Sequence, residues 1–196
     1  MDLSCKNLIR RSLYNACALW LSASMLSSCD DSTERYSTLY RCQFTFNTQL
    51  HQVSILTRTI DNPGSFALVK VTTEKGVKVL HIESNNGTDK ETIRLTTEEE
   101  NRLIGSVGAN NSILVGCTNF NGMAAYDAQC PNCLEDFTGT NYPLTWTAKG
   151  QNVECAKCGR QYLLHSMGAC TEGGNRLIEY RVWLRNDGAM LTVSND

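Results

Sequence analysis

The residues with the clearest chemistry are Cys130, Cys133, Cys155 and Cys158. They stand as Cys130-Pro131-Asn132-Cys133, 21 intervening residues, then Cys155-Ala156-Lys157-Cys158-Gly159. Two residues between paired cysteines let a tight turn aim both sulfurs at one point, and two such pairs facing each other close a tetrahedron of thiolates. Gly159 gives the backbone the freedom to turn sharply after the second pair. Four soft sulfur donors suit Zn²⁺, and they also suit iron. A shell closed by four thiolates leaves no position for a substrate, so zinc held there is structural rather than catalytic. The same residues have two other uses: disulfides in an oxidising compartment, or a redox dithiol of the thioredoxin kind. The dithiol reading needs a helix in a βαβ setting after one of the pairs, and the sequence offers none.

Three further cysteines sit in the mature region. Cys42 and Cys117 lie in apolar runs, where a buried free thiol is common, though they could pair if their strands are neighbours. Cys170, in a glycine-rich loop, is a loop thiol or a substitute ligand. Tyr126 and Asp127 are read as strand and turn residues, and Trp146 and Trp183 as core. No serine or cysteine triad, P-loop or Rossmann fingerprint occurs.

The elements that must position these residues are strands. Cys42, Phe44 and Phe46 alternate in the run 40–47, with period two. The runs 66–71 and 77–82 flank Glu74-Lys75-Gly76 and predict a hairpin. A further strand is expected at 92–95. The runs 112–117 and 123–128 flank Asn121-Gly122, a hairpin turn. Strands are also expected at 144–147, 152–155, 161–164, 176–184 and 190–193. One short helix is expected from Thr97 to about Ile104, because Thr97 and Glu100 form a capping box and Glu98 and Glu99 suit the positive end of the dipole. Many short strands at regular spacing predict an all-β sandwich or barrel.

The chain begins with a leader. Lys6, Arg10 and Arg11 precede the short apolar run 16–26, the layout of a secretory signal and too short for a spanning helix. Leu26-Ser27-Ser28-Cys29 resembles the bacterial lipobox, which implies a diacylglycerol on the Cys29 thiol, cleavage before it and acylation of the new amino terminus. Several acyl chains anchor firmly, at about 0.8 kcal/mol per buried methylene. Residues 1–28 are thus a signal peptide, 29–38 a flexible tether and 39–196 a single β domain, with the metal loops at about 128–165. The acidic run 30–34 also resembles the surface-export signal of Bacteroidetes lipoproteins. Removing the leader takes three of 18 basic and one of 20 acidic side chains, which leaves a net charge of about −4. No basic patch large enough for nucleic acid stands out.

The last 85 or so residues resemble a Rieske domain. Gly116 sits in a strand, followed by Asn121-Gly122 and Ala125-Tyr126-Asp127. Cys130-Pro131 stands where the first cluster loop of that family begins, and Cys155-x-x-Cys158-Gly159 where the family has C-x-x-H-G. Tyr162 stands where an aromatic residue follows that loop, and Gly168, Gly173-Gly174, Leu177, Tyr180-x-Val182, Asp187-Gly188 and Leu191-x-Val193 follow its closing rhythm. A Rieske [2Fe–2S] centre has two Cys and two His ligands. Here Asn132 takes the place of the first His with Cys133 one residue on, Cys158 replaces the second, and His51, His81 and His165 lie outside both loops. His165 is expected at a strand end on the surface. The resemblance therefore implies a Rieske-like β domain with zinc-ribbon-like cysteine loops holding zinc, or alternatively a [2Fe–2S] cluster or a single rubredoxin-like iron of lower potential. The coupling of a lipobox to such a domain also resembles Bacteroidetes lipoproteins. The expected protein is a non-enzymatic binding or assembly module, lipid-anchored in the cell envelope at the outer membrane. Its partners are the membrane and an envelope protein. With iron at the same cysteines it is instead an electron carrier.

Overall fold

Thirteen short strands and three short helices build residues 35–195, the part that the computed structural model describes. Cys29, the leader and the first half of the expected tether lie outside them. In chain order come β1 (Cys42–Asn47), α1 (Ile55–Ile60), β2 (Phe66–Glu74), β3 (Val77–Ser84), β4 (Lys90–Arg94), α2 (Glu98–Arg102) and β5 (Ile104–Val107). Then follow β6 (Ser112–Thr118), β7 (Gly122–Asp127), α3 (Pro131–Asp136), β8 (Leu144–Trp146), β9 (Asn152–Cys155) and β10 (Gln161–Leu163). A 3₁₀ turn (Leu164–Ser166), β11 (Ala169–Cys170), β12 (Glu179–Arg185) and β13 (Met190–Ser194) complete it. All strand pairings are antiparallel, and the all-β expectation holds.

Nine strands form one sheet in the order β4-β3-β2-β6-β7-β12-β13-β1-β5, and four form a second, β11-β10-β9-β8. The large sheet curls on itself, because residues from both of its ends share one core. Phe44, Phe46, Val69, Leu80, Ile82, Ile113, Val115, Leu191 and Val193 pack there with Ile55, Leu56 and Ile60 of α1. The two ends approach through α2, where the Lys78 backbone N–H donates to the Asn101 side chain at 2.8 Å. The capping box forms as expected: the Thr97 hydroxyl accepts from the Glu100 N–H at 3.2 Å. The helix is nonetheless one turn and ends at Arg102, because Ile104 belongs to β5, which pairs with β1.

β6 explains the continuous apolar run at 112–117. Every residue of β6 is buried, since both faces are covered. Ile113 and Val115 enter the main core, while Leu114 joins Phe66, Ala124 and Tyr126 in a second cluster under the small sheet. Gly116 lets the Ser65–Phe66 backbone approach closely: a Cβ there would lie 2.3 Å from the Ser65 carbonyl oxygen and 2.5 Å from the Phe66 ring. Backbone cannot retreat as a flexible side chain can, so Gly116→Ala should cost about 1–3 kcal/mol. Urea unfolding reads this as a lower midpoint at unchanged slope. An unmoved midpoint would show that the β2–β6 contact is looser than described.

Three expectations need correction. Cys42 and Cys117 do not pair: β7, β12 and β13 lie between their strands in the sheet, and both are free. Trp146 and Trp183 are half-buried rather than core. Residues 35–38 are not free tether. The Arg35 guanidinium donates to the Glu179 carboxylate at 2.8 Å, and the Ser37 N–H donates to the Glu179 carbonyl at 3.0 Å.

Candidate metal centre

The first cysteine pair sits where β7 runs out into α3. Ala128 and Cys130 are clasped by the returning chain: the Cys130 N–H donates to Tyr142 O at 2.8 Å, and the Leu144 N–H to Ala128 O at 2.9 Å. Cys130 is then the N-cap of α3, with Pro131 at the first helical position, where its missing N–H costs nothing. Three residues on, Cys133 returns to the same side of the helix. The first pair is therefore a helix start, where a tight turn was expected. The second pair does form the tip of a hairpin, β9–β10. The Gly159 N–H donates to Cys155 O at 2.8 Å, and Gly159 takes the left-handed φ of 73° expected of it.

These two units bring all four sulfurs within 4.8 Å of one another. Cys130 Sγ lies 3.6 Å from Cys158 Sγ, and Cys133 Sγ lies 3.7 Å from Cys155 Sγ. A metal–sulfur bond of about 2.3 Å sets the edge of a regular sulfur tetrahedron at about 3.8 Å. The donor set therefore fits a metal ion in both chemistry and spacing. All four are free thiols, so neither pair is a disulfide here. Cys170, half-buried in β11 with its sulfur 3.8 Å from Glu172 Oε2, is not in the group, and neither is any histidine. His51 pairs with Glu100 at 2.7 Å, and His81 lies between Thr72 and Thr92. His165, expected on the surface, is partly buried in the 3₁₀ turn with its ring edge-on to Phe66.

Asn132 is the residue that sequence reasoning undervalued. Its Oδ1 accepts the Asn175 N–H at 2.9 Å, which fixes the amide, so Nδ2 donates to Tyr162 Oη at 2.9 Å. The Tyr162 hydroxyl, already an acceptor, is left to donate to Cys130 Sγ at 3.0 Å. A chain of directed hydrogen bonds thus ends on one sulfur, of the kind that orients a ligand and tunes a bound metal. No motif announces it, because Asn132 and Asn175 are 43 residues apart. Across the two units, Lys157 lies 5.0 Å over the Phe137 ring, and Arg160 meets Asp136 at 3.7 Å.

Four crowded thiols resist ionising together. Burial pushes Cys130 up to about 11 despite the Tyr162 hydroxyl, and burial with the neighbouring thiols pushes Cys133 higher still. At Cys158 burial is outweighed by the Arg160 backbone N–H and the other three thiols, which bring it down to about 7. A metal binding here must displace at least the protons on Cys130 and Cys133. Each displaced proton makes affinity rise tenfold per pH unit, so between pH 6 and 8 the apparent affinity for Zn²⁺ should climb at least about 100-fold per unit. Competition with a chromophoric chelator checks this, and a flat profile would exclude thiolate ligation.

No known protein family, curated protein or solved structure matches this chain.

Proposed function

We propose that this chain is an exported lipoprotein, acylated at Cys29, whose β domain is pinned by one structural Zn²⁺ on Cys130, Cys133, Cys155 and Cys158. It serves as a non-enzymatic binding or assembly module at the outer membrane of the cell envelope. The observation that carries the metal reading is the compactness of the sulfur group. A two-iron cluster would push its two cysteine pairs apart by the separation of the irons, whereas sulfurs all within 4.8 Å suit a single ion. Four thiolates complete that ion's shell, which argues for structure over catalysis. The metal ties the chain leaving β7 to the β9–β10 hairpin, and so holds the small sheet against Leu114, Ala124 and Tyr126. Among the described residues no helix is long and apolar enough to cross a membrane.

A second reading, a single iron and electron transfer, is supported by two features. Cys158 is only partly buried, and the Tyr162 hydroxyl bonds a ligand sulfur, a contact that shifts reduction potential. Anaerobic purification from cells supplied with both metals separates the readings: zinc gives a colourless protein, iron gives absorption in the visible. For the anchor, Cys29→Ser should move the protein from the membrane fraction to the soluble or uncleaved pool. Unchanged processing and membrane attachment would overturn acylation.

A further inference from the structure

The outward side of β12, β13 and β1 has a character unlike the rest of the chain. In register across these strands, Arg181, Ser194 and Gln43 align, as do Trp183, Thr192 and Thr45, and then Arg185, Met190 and Asn47. Between Arg41, Trp183 and Arg185 lies a shallow cavity of about 310 Å³, with the buried Thr192 at its floor. Arg41 and Arg185 are exposed, and neither meets a carboxylate among the described residues. The Tyr36 ring is flanked by the Arg35 and Arg181 guanidinium groups, each 5.4 Å from its centroid. Leu39 stands 71% exposed beside this segment.

The chain reaches the fold on this same side. Glu179, Arg181, Trp183 and Arg185 alternate with the inward-facing Tyr180, Val182 and Leu184, so Arg35 and Tyr36, held by Glu179 and Arg181, lie on the outward face. Asn195 locks the segment down, donating to Ser37 O at 3.2 Å and Tyr40 O at 2.8 Å. Six residue steps separate Cys29 from Arg35. Fully extended they span at most about 22 Å, so a lipid on Cys29 confines the domain to the headgroup region and its neighbourhood.

We propose that this face, Arg41, Trp183 and Arg185 with the Tyr36 ring nearby, docks on an anionic lipid surface. The inference rests on the reading of Cys29 as the anchor, and it sets which side of the domain is left for a partner. Charge selects this side: the mature chain is net negative and would be repelled by an anionic membrane in most orientations, whereas here Arg41 and Arg185 meet phosphates. Indole and phenol rings beside them suit the interface between headgroup and acyl chain.

Partition onto vesicles tests the face without depending on acylation. The full chain carrying Cys29→Ser is mixed with vesicles of phosphatidylcholine alone or with one third phosphatidylglycerol. Each arginine at an anionic surface is worth about fivefold in partition. Arg41→Gln with Arg185→Gln should therefore lower binding to the anionic vesicles about 25-fold, with little change on the neutral ones. The leader is common to all the proteins, so the ratio reports the face. Lys90→Gln with Arg94→Gln, on strand β4 outside this face, should leave partition unchanged and also controls for net charge. An equal loss in both pairs, or no loss in the first, would overturn the proposal, as would a face that captures protein but ignores lipid. Failure of the anchor reading shows separately, as unchanged processing of Cys29→Ser in cells.

Discussion

Stripping the metal with a chelator, or replacing Cys133 with serine, should lower the unfolding midpoint by about 8–16 °C. A ligand bound by the folded state alone stabilises it by about 4 kcal/mol when free ligand stands a thousandfold above its dissociation constant. For a chain of 150–250 residues each kcal/mol moves the midpoint by about 2–4 °C. The effect is large here because, beyond the buried Asn132–Tyr162–Cys130 hydrogen bonds, the side-chain ties across the two cysteine units are weak. The Lys157–Phe137 stack and the Arg160–Asp136 pair are at the surface, where such contacts contribute about 0–1 kcal/mol. Cys117→Ser is the control. Cys117 is also buried, but it lies in β6 outside the sulfur group, so the variant should keep its metal and its response to chelation. Thermal unfolding of the three proteins with and without chelator reads this. A midpoint in the parent protein that ignores the chelator would remove the metal from the account of stability.

The second large effect is expected at Asp127. Its carboxylate is fully buried at the end of β7 and is ringed by donors. It accepts from the Ala109 N–H at 2.7 Å, the Gln129 N–H at 2.9 Å and the Tyr180 hydroxyl at 2.8 Å. Gln129 precedes the first ligand cysteine, and its own side chain bonds Ser112 and the Tyr142 N–H. Asp127 therefore sets the point from which the chain departs toward the four-cysteine group. Asp127→Ala would strand three donors, two of them on the buried Gln129 and Tyr180, and should cost about 3–5 kcal/mol. Burial also holds the Asp127 carboxyl above its ordinary value, against the pull of those donors. A folded-state value above the unfolded one means that the proton stabilises the fold. The contribution is full below the ordinary carboxylate range and is lost as pH rises through the folded value. Relative to Asp127→Asn, the parent protein should thus lose stability from acid toward neutral pH. Denaturant titrations at several pH values check both expectations. A neutral Asp127→Ala would show that the network is not formed.

What the sequence shows well is what repeats locally. The β2–β3 and β6–β7 hairpins follow from Lys75-Gly76 and Asn121-Gly122, turn residues that only a few backbone geometries accept, and Lys75, Gly76 and Gly122 all have positive φ. The cysteine pairs are legible because ligand spacing is a local property. The misses are tertiary. α1, with the sequence Ile-Leu-Thr-Arg-Thr-Ile, is rich in β-branched residues and shows no helical signal. It is helical because Ser54 caps it and the Glu91 side chain, from β4, accepts the Ile55 N–H at 2.8 Å. α3 is too short for a 3.6-residue period to show, although Pro131 directly after Cys130 fits a first helical position. β5 was hidden at the end of a helical pattern, because its partner in β1 lies some 60 residues earlier. The Asn132–Tyr162–Cys130 chain is likewise invisible until the fold joins distant segments.

The central claim is that four cysteines hold one metal ion. Elemental analysis of protein purified anaerobically, beside its Cys155→Ser variant, tests it most directly. The account predicts about one zinc per chain, no iron, and loss of the zinc in the variant. A metal-free parent protein, or a variant that keeps its full complement, would contradict it.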